Sequence, residues 1–450
     1  MTPRPTGRTS RSPAPAVITA GAGERVRKTV LSNGIRVVTE YIPGVRSASV
    51  GLWVGIGSRD EKPSVAGAAH FLEHLLFKAT PTRDAASIAE QMDAIGGELN
   101  AFTSKEHTCF YAHVLDDHLE QAVDVVCDVV LRGRCRRADV DLERDVVLEE
   151  IAMRDDDPED LLADEFMTAM FGDQPIGRPV IGSAESISAM TREQLHSFHT
   201  RRYTPDRMVL AVAGNVDHAA VVAQARRSTG SGRGVVTTPS RPVVARRPAG
   251  GVTTEANLRL THRETEQAHL LLGMPTPGRG SPDRWALSLL NVAVGGGLSS
   301  RLYQEIREER GLAYSVYSTV DTFSDVGTFS VYAGCSPDSL GEVVGIIRRI
   351  LEQVAVDGIT DAEVDRAKGA LRGGMVLGLE DSQSRMHRLG GNELADRRRR
   401  SLADTLDRID RVTPAQLRRV AARVLDQPAA TAVVGPFRSV RRLPAEVRRR

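Results

Sequence analysis

Long apolar runs are missing from this sequence. None approaches the roughly 20 residues that a bilayer-spanning helix needs, so there is no membrane-span candidate. Cysteine is scarce. Cys109, Cys127, Cys135 and Cys335 form no CxxC pair and have no histidine cluster around them, the pattern of unpaired thiols in a reducing compartment. Net charge is nearly absent at +1, so no global field points to nucleic acid or to an anionic membrane. Lysine is rare as well. Lys28, Lys62, Lys78, Lys105 and Lys368 leave 54 of the 59 basic residues to arginine, the compositional bias of a GC-rich, bacterial genome. The arginine runs at 397–400 and 448–450 read as solvated surface or tail. No nucleophilic serine or cysteine motif is present. Gly295–Gly297 lacks the strand and GK[ST] context of a phosphate loop and reads as a turn.

With 41% apolar and 26% charged residues the chain has the balance of a soluble globular protein, and 450 residues suggest two to four domains. Residues 1–25 read as a disordered N-terminal tail. Arg4, Arg8 and Arg11, with no acid before Glu24, resemble a transit peptide in composition, but arginine dominates everywhere, and we expect a cytoplasmic bacterial protein. "RRSTGSGRGVVTTPSRPVVARRPAGG" has no apolar periodicity and marks a linker over 226–252. It separates an α+β domain at 26–225 from one at 253–437, with 438–450 as a basic C-terminal tail.

The two halves echo each other. "MTREQLHSFHTRRYTPDRMVLAVAGNVD" near the end of the first and "VTPAQLRRVAARVLDQPAATAVVGPF" at the end of the second each read as a Thr-capped helix, a turn and an apolar strand closing at glycine. "IGGELNAFTSKEHTCFYAHV" and "RGLAYSVYSTVDTFSDVGTFSVYAG" both read as hairpins after a helix. The fold class is therefore α+β, with one homologous domain present twice.

Chemistry concentrates in "AGAAHFLEHLLFK", residues 66–78. On a helix His70 and His74 stand at i and i+4, so both imidazoles leave one face a turn apart. That spacing suits two ligands of one metal, and Glu73 projects beside them, within reach of a water on it. Imidazoles with a carboxylate suit zinc with an open position. Three buried titratable groups would be costly without a shared partner.

The inverted pattern H-x-x-E-H marks the inverzincins. Together with "LSNGIRVVTE", "GGELNAFTSKEHTCFY", "ERDVVLEEI", "QPIGRPVIG", "YTPDRMVLAVAGN" and "GGGLSSRLYQEIREERGLAYSVYS", it makes the chain resemble the pitrilysin/insulinase class of zinc peptidases, and within it the β-subunit of the mitochondrial processing peptidase and its bacterial relatives. The resemblance runs from about Thr29 to Val434. It implies a third zinc ligand at Glu150, the last Glu of "ERDVVLEE". Glu143, Val147 and Glu150 share one helix face, which lets Glu143 support a ligand by a hydrogen bond from behind. It also implies that the strand Glu98–Ser104 pairs with the substrate backbone, with Asn100 and Ala101 nearest the scissile bond. Arg307 and Tyr314 would close over the substrate from the second domain, with Tyr314 donating to the oxyanion. Asp160 and Asp164, at i and i+4 in "DDDPEDLLADEF", would take an arginine side chain of the substrate.

The repeat acts as an internal control. At the positions of Glu150 and of 66–78 the second half offers Arg372 and "DRWALSLLNVAVG". One zinc per chain is expected, in the first half. The implied function is a zinc-dependent endopeptidase that cuts peptides or unfolded, presequence-like segments, with Glu73 as general base to a zinc-activated water. The resemblance further implies a homodimer, each chain forming half of a clamshell chamber, with no nucleic acid and no membrane as partner. The alternative is a non-catalytic assembly subunit of the same fold. The intact set His70, Glu73, His74 and Glu150 argues against it.

Overall fold

The computed structural model describes residues 16–19, 25–230, 251–395 and 401–449. Its two sheets are built on one plan. The first contains β1 (Ala16–Thr19), β2 (Arg25–Val30), β3 (Arg36–Tyr41), β4 (Ser47–Val54), β5 (Glu98–Thr103), β6 (Thr108–Leu115) and β7 (Met208–Gly214), in the order β1-β2-β3-β7-β4-β6-β5. The second contains β8 (Leu258–His262), β9 (Ala268–Pro277), β10 (Ala313–Thr322), β11 (Val326–Cys335) and β12 (Ala430–Gly435), in the order β10-β11-β9-β12-β8. Read from β3 and from β8, the two orders coincide strand for strand. In both, the first strand runs parallel to the last, and every other pair of the shared core is antiparallel. The α+β repeat read from the sequence is this shared plan. The Thr-capped helices are in place too: Thr191 accepts from Gln194 N at 3.2 Å and Thr413 from Gln416 N at 3.2 Å.

The central strands are apolar on both faces, as strands covered on both sides must be. β7 is buried at every residue. Val50, Leu52, Phe110, Ala112, Leu210 and Val212 face the helices of their own half, whereas Trp53, Cys109, Val209, Ala211 and Ala213 face the other way. That second face is covered by Met386 and Leu389 of the helix Ser382–Ala395, which belongs to the second half of the chain. The exchange is reciprocal. The helix Pro158–Phe171, from the first half, lays Leu161, Leu162, Phe166 and Met170 against Ala430, Ala432 and Val434 of the second sheet. Each buried side chain of this size contributes about 1.5–3 kcal/mol, so neither sheet keeps its back face dry alone. Polar ties follow the same route. Arg385 donates to the fully buried Glu40 at 2.8 Å, and Lys28 ion-pairs with Glu393. The two hairpin turns are clamped by Arg59, which binds Asp325 through both oxygens and Glu106, all at 2.8 Å.

At the center of the exchange Gly390 lies flat against Trp53. A Cβ there would stand 2.1 Å from Trp53 Nε1. Gly390→Ala is therefore expected to destabilise the protein by about 1–3 kcal/mol through overpacking. Denaturant unfolding followed by fluorescence reads this directly, because Trp53 is one of only two tryptophans.

Three boundaries differ from the sequence reading. Ala16–Thr19, placed in the N-terminal tail, pairs with Arg25–Lys28 as a strand. The first domain does not end at 225, since the helix His218–Gly230 carries it to Gly230. The linker expected over 226–252 otherwise falls largely on 231–250, which lie outside the described residues, as does the arginine run 397–400. The stretch 438–450 is not a tail through residue 449. Leu443 and Val447 stand at i and i+4 and are buried in the second core, and Arg348 donates to Arg449 O at 2.6 Å. The abundant arginine of this segment masks two apolar anchors. All four cysteines are buried and unbridged. Among the described residues no helix is long and apolar enough to cross a membrane.

Candidate metal centre

The sequence predicts a helix over 66–78, and one runs from Ala68 to Leu76. Ala68, Ala69, Phe71, Leu72, Leu75 and Leu76 bury one face of it, which leaves His70, Glu73 and His74 on the other. Its N-cap, Gly67, adopts φ 91°, and a Cβ there would stand 2.5 Å from Ile181 O. Glycine is required, but glycine has no side chain to cap the helix. Glu61 does so from outside the helix, accepting from Gly67 N and Ala69 N, both at 2.7 Å.

The helix Arg137–Asp156 crosses beside it and brings Glu150 to the histidines. Glu150 Oε2 lies 3.6 Å from His70 Nε2 and 3.4 Å from His74 Nε2. One donor atom from each residue falls within 4.8 Å of the other two, and this is the only such cluster of His, Cys, Asp and Glu among the described residues. Bonds of about 2.0–2.2 Å to a tetrahedral zinc would set ligand atoms about 3.4 Å apart, so the spacing fits. The polar inventory fits as well. Glu150 Oε2, the atom that faces both imidazoles, is buried without a hydrogen-bond partner, an arrangement that native interiors rarely tolerate. Burial, and then the neighbouring His74, push the His70 imidazole down to about 4. It is neutral at pH 7 and keeps a lone pair for a ligand.

Around these three stand the groups that orient them. His74 Nδ1 lies 3.3 Å from Glu143 Oε2, with Nδ1–H as donor, which leaves Nε2 bare on the side of Glu150. Glu143 is buried and takes Lys78 Nζ at 2.6 Å on its other oxygen. Glu73 Oε2 accepts from Thr103 Oγ1 at 2.5 Å. Burial pushes the Glu73 carboxyl above the usual carboxylate range, against the pull of that hydrogen bond. Thr103, Lys78 and Glu61 were not singled out in the sequence. Lys78 carried a signal, one turn after His74. Thr103 and Glu61 carried none, since each is brought to the site by tertiary packing.

The strand expected to bind substrate, β5, is an edge strand that, among the described residues, is bonded only to β6. Asn100 is exposed, and its Oδ1 accepts from Ala101 N at 2.7 Å. The N–H of Ala101 therefore points away from β6, and by strand alternation so do the backbone groups of Leu99 and Thr103. Arg307 and Tyr314 are together, with the guanidinium 5.0 Å from the Tyr314 ring and 5.0 Å from the Tyr303 ring. Tyr314 is 75% exposed. No hydrogen bond or ion pair among the described residues joins this pair to the histidine cluster. Asp164 is already bonded to Arg154 Nη1 at 2.5 Å. Asp160 is exposed, and no described side chain pairs with its carboxylate. Arg372, in the second half, ion-pairs with Asp410.

Two family models match successive parts of the chain. The family model described as insulinase, peptidase family M16, matches residues 36–184, and the one described as the peptidase M16 inactive domain matches residues 189–371. The chain is 60% identical to an uncharacterized zinc protease of Mycobacterium tuberculosis over 94% of its length and 96% of the relative's. It is 36% identical to an uncharacterized zinc protease of Bacillus subtilis over 91% and 98% of the two chains. A protease from Helicobacter pylori superposes with a TM-score of 0.83 at 24% identity, over 92% of this chain and all of the other. The chain belongs to the insulinase family of peptidases, family M16.

Proposed function

We propose that this chain is a zinc-dependent endopeptidase whose metal is held by His70, His74 and Glu150. One observation carries the reading. A single buried oxygen of Glu150 faces two imidazole nitrogens at 3.4 and 3.6 Å, with a tethered carboxylate, Glu73, one residue before His74. When bound, zinc would polarise the scissile carbonyl and acidify a water, lowering its pKa to roughly 7. Glu73 supplies the base. Thr103 occupies Oε2, so Oε1 is left to take the proton from the water and return it to the leaving amine. Glu143 fixes the tautomer and the ring of His74. The open edge of β5 offers the backbone groups of Leu99, Ala101 and Thr103 to an extended peptide, which favours unfolded segments over folded ones. Asn100 marks where a substrate carbonyl would dock, because its own carboxamide oxygen occupies the Ala101 N–H. Incubating the purified protein with a peptide library, with and without a chelator, tests the reading. Cleavage that the chelator does not affect would refute it.

The reading extends to assembly. One chain holds two copies of the domain, half of a clamshell, and the Arg307–Tyr314 pair is exposed for work on a substrate in the chamber between chains. Light scattering under assay conditions is expected to give twice the chain mass. A mass of one chain with full activity would rule the dimer out.

It extends also to a preference for arginine two residues before the cut. Asp160 supplies the unpaired carboxylate, while Asp164 must share itself with Arg154. Replacing both by Asn is expected to lower kcat/KM for arginine peptides by roughly 1–3 kcal/mol, with little effect on alanine peptides. Equal losses on both sets would mean that these acids only shape the fold.

A further inference from the structure

Thr103 lies where two parts of the proposed machinery meet. It is the last residue of the open β5 edge, because beyond it Ser104 O is already taken by Ser58 N at 3.1 Å. Its backbone therefore faces the place where a substrate strand would add. Its side chain faces the other element, with Oγ1 2.5 Å from Glu73 Oε2. The neighbouring hydroxyl, Thr108 Oγ1, stands 3.5 Å away and is spent on Ile56 O at 3.0 Å. Glu73 is thus the near acceptor for the Thr103 hydroxyl. A β-branched side chain has little χ1 freedom, so the direction of its hydroxyl follows the direction of its backbone.

The rest of β5 is held unevenly. Phe102, the preceding residue, is packed from behind by Trp53 at 5.6 Å and by His387 of the exchanged helix at 5.5 Å. On its edge side β5 has no partner strand among the described residues. A strand bonded on one side only is less constrained than one bonded on both, and an added peptide strand supplies the second side.

We infer that Thr103 is a positioning residue through which pairing of an extended substrate with β5 sets the carboxylate of Glu73. The inference rests on the peptidase reading and adds a link that reading does not require. Substrate length then bears on turnover as well as on binding, because the hydrogen bonds of the added strand steady the base.

The test uses the full-length zinc-loaded protein and two peptides with the same cleaved sequence. One is too short to pair along β5 and one is long enough to cover it. Wild type is expected to show a higher kcat on the extended peptide. Thr103→Val is expected to keep full zinc and nearly unchanged KM while losing about tenfold in kcat on the extended peptide. On the short peptide it should lose less, so that the advantage of length collapses. Thr103→Ser, which keeps the hydroxyl, should restore most of it. Equal fold losses on the two peptides, or a Ser variant no better than Val, would overturn the inference while Glu73→Gln remained inactive. A Glu73→Gln variant as active as wild type would overturn the peptidase reading and this inference with it.

Discussion

Glu73→Gln is expected to keep one zinc per chain and to lose about 10²–10⁴-fold in turnover. The substitution is nearly isosteric, and the amide can still meet the Thr103 hydroxyl that now bonds Glu73 Oε2 at 2.5 Å. None of the three metal-facing atoms belongs to residue 73, so the cluster of His70, His74 and Glu150 is left whole. What goes is the capacity to accept a proton. Burial already holds the Glu73 carboxyl above the ordinary carboxylate range, which moves its basicity toward the operating pH, where a general base is most effective. Kinetics paired with elemental analysis separate the roles. A variant that lost zinc in step with activity would make Glu73 part of the metal shell instead of the base.

His70→Ala and Glu150→Ala are each expected to abolish zinc binding and, with it, hydrolysis. Either change leaves two protein ligands where a catalytic zinc takes three. Removing Glu150 also takes away the single carboxylate that would balance the ion, at the atom facing both imidazoles. Chelation of the wild type should reproduce the loss, and one zinc per chain should reverse it. Glu143→Gln should be milder. It leaves all three ligands but weakens the hold on His74 Nδ1 and the ion pair with Lys78, and changes of this kind cost about 10–100-fold in metal affinity or activity. Full zinc in a His70→Ala, His74→Ala double variant would place the metal elsewhere.

The parts of this site that could be read from the sequence are those carried by a single helix. His70, Glu73 and His74 are one turn apart, and helical geometry alone puts them on a common face. Glu150 is 76 positions beyond His74, and no periodicity joins two helices across that interval. Only the family resemblance pointed to it. The repeat was legible because capping chemistry is local: Thr191 and Thr413 announce equivalent helices. The traded helices were not. "PEDLLADEFMTAMF" shows that it has an apolar face but not which sheet that face meets, and nothing in its own spacing says that the sheet lies in the other half. Thr103 has the same history. In "ELNAFT" it reads as an ordinary strand residue, and its meaning comes from the glutamate of a helix packed above it.

Because each sheet borrows its back cover from the opposite half, the chain cannot be treated as a catalytic module with an attachment. If it were severed between Gly230 and Gly251, neither fragment would be complete. The first would keep His70, His74 and Glu150 yet expose Trp53, Val209 and Ala211 where Met386 and Leu389 had sat. The second would expose Ala430, Ala432 and Val434. Each piece would carry an uncovered apolar sheet face whose cover lies in the other piece. The second half, which offers Arg372 where the first has Glu150, thus has a mechanical part to play, since its helix covers the back of the sheet beside the proposed metal site.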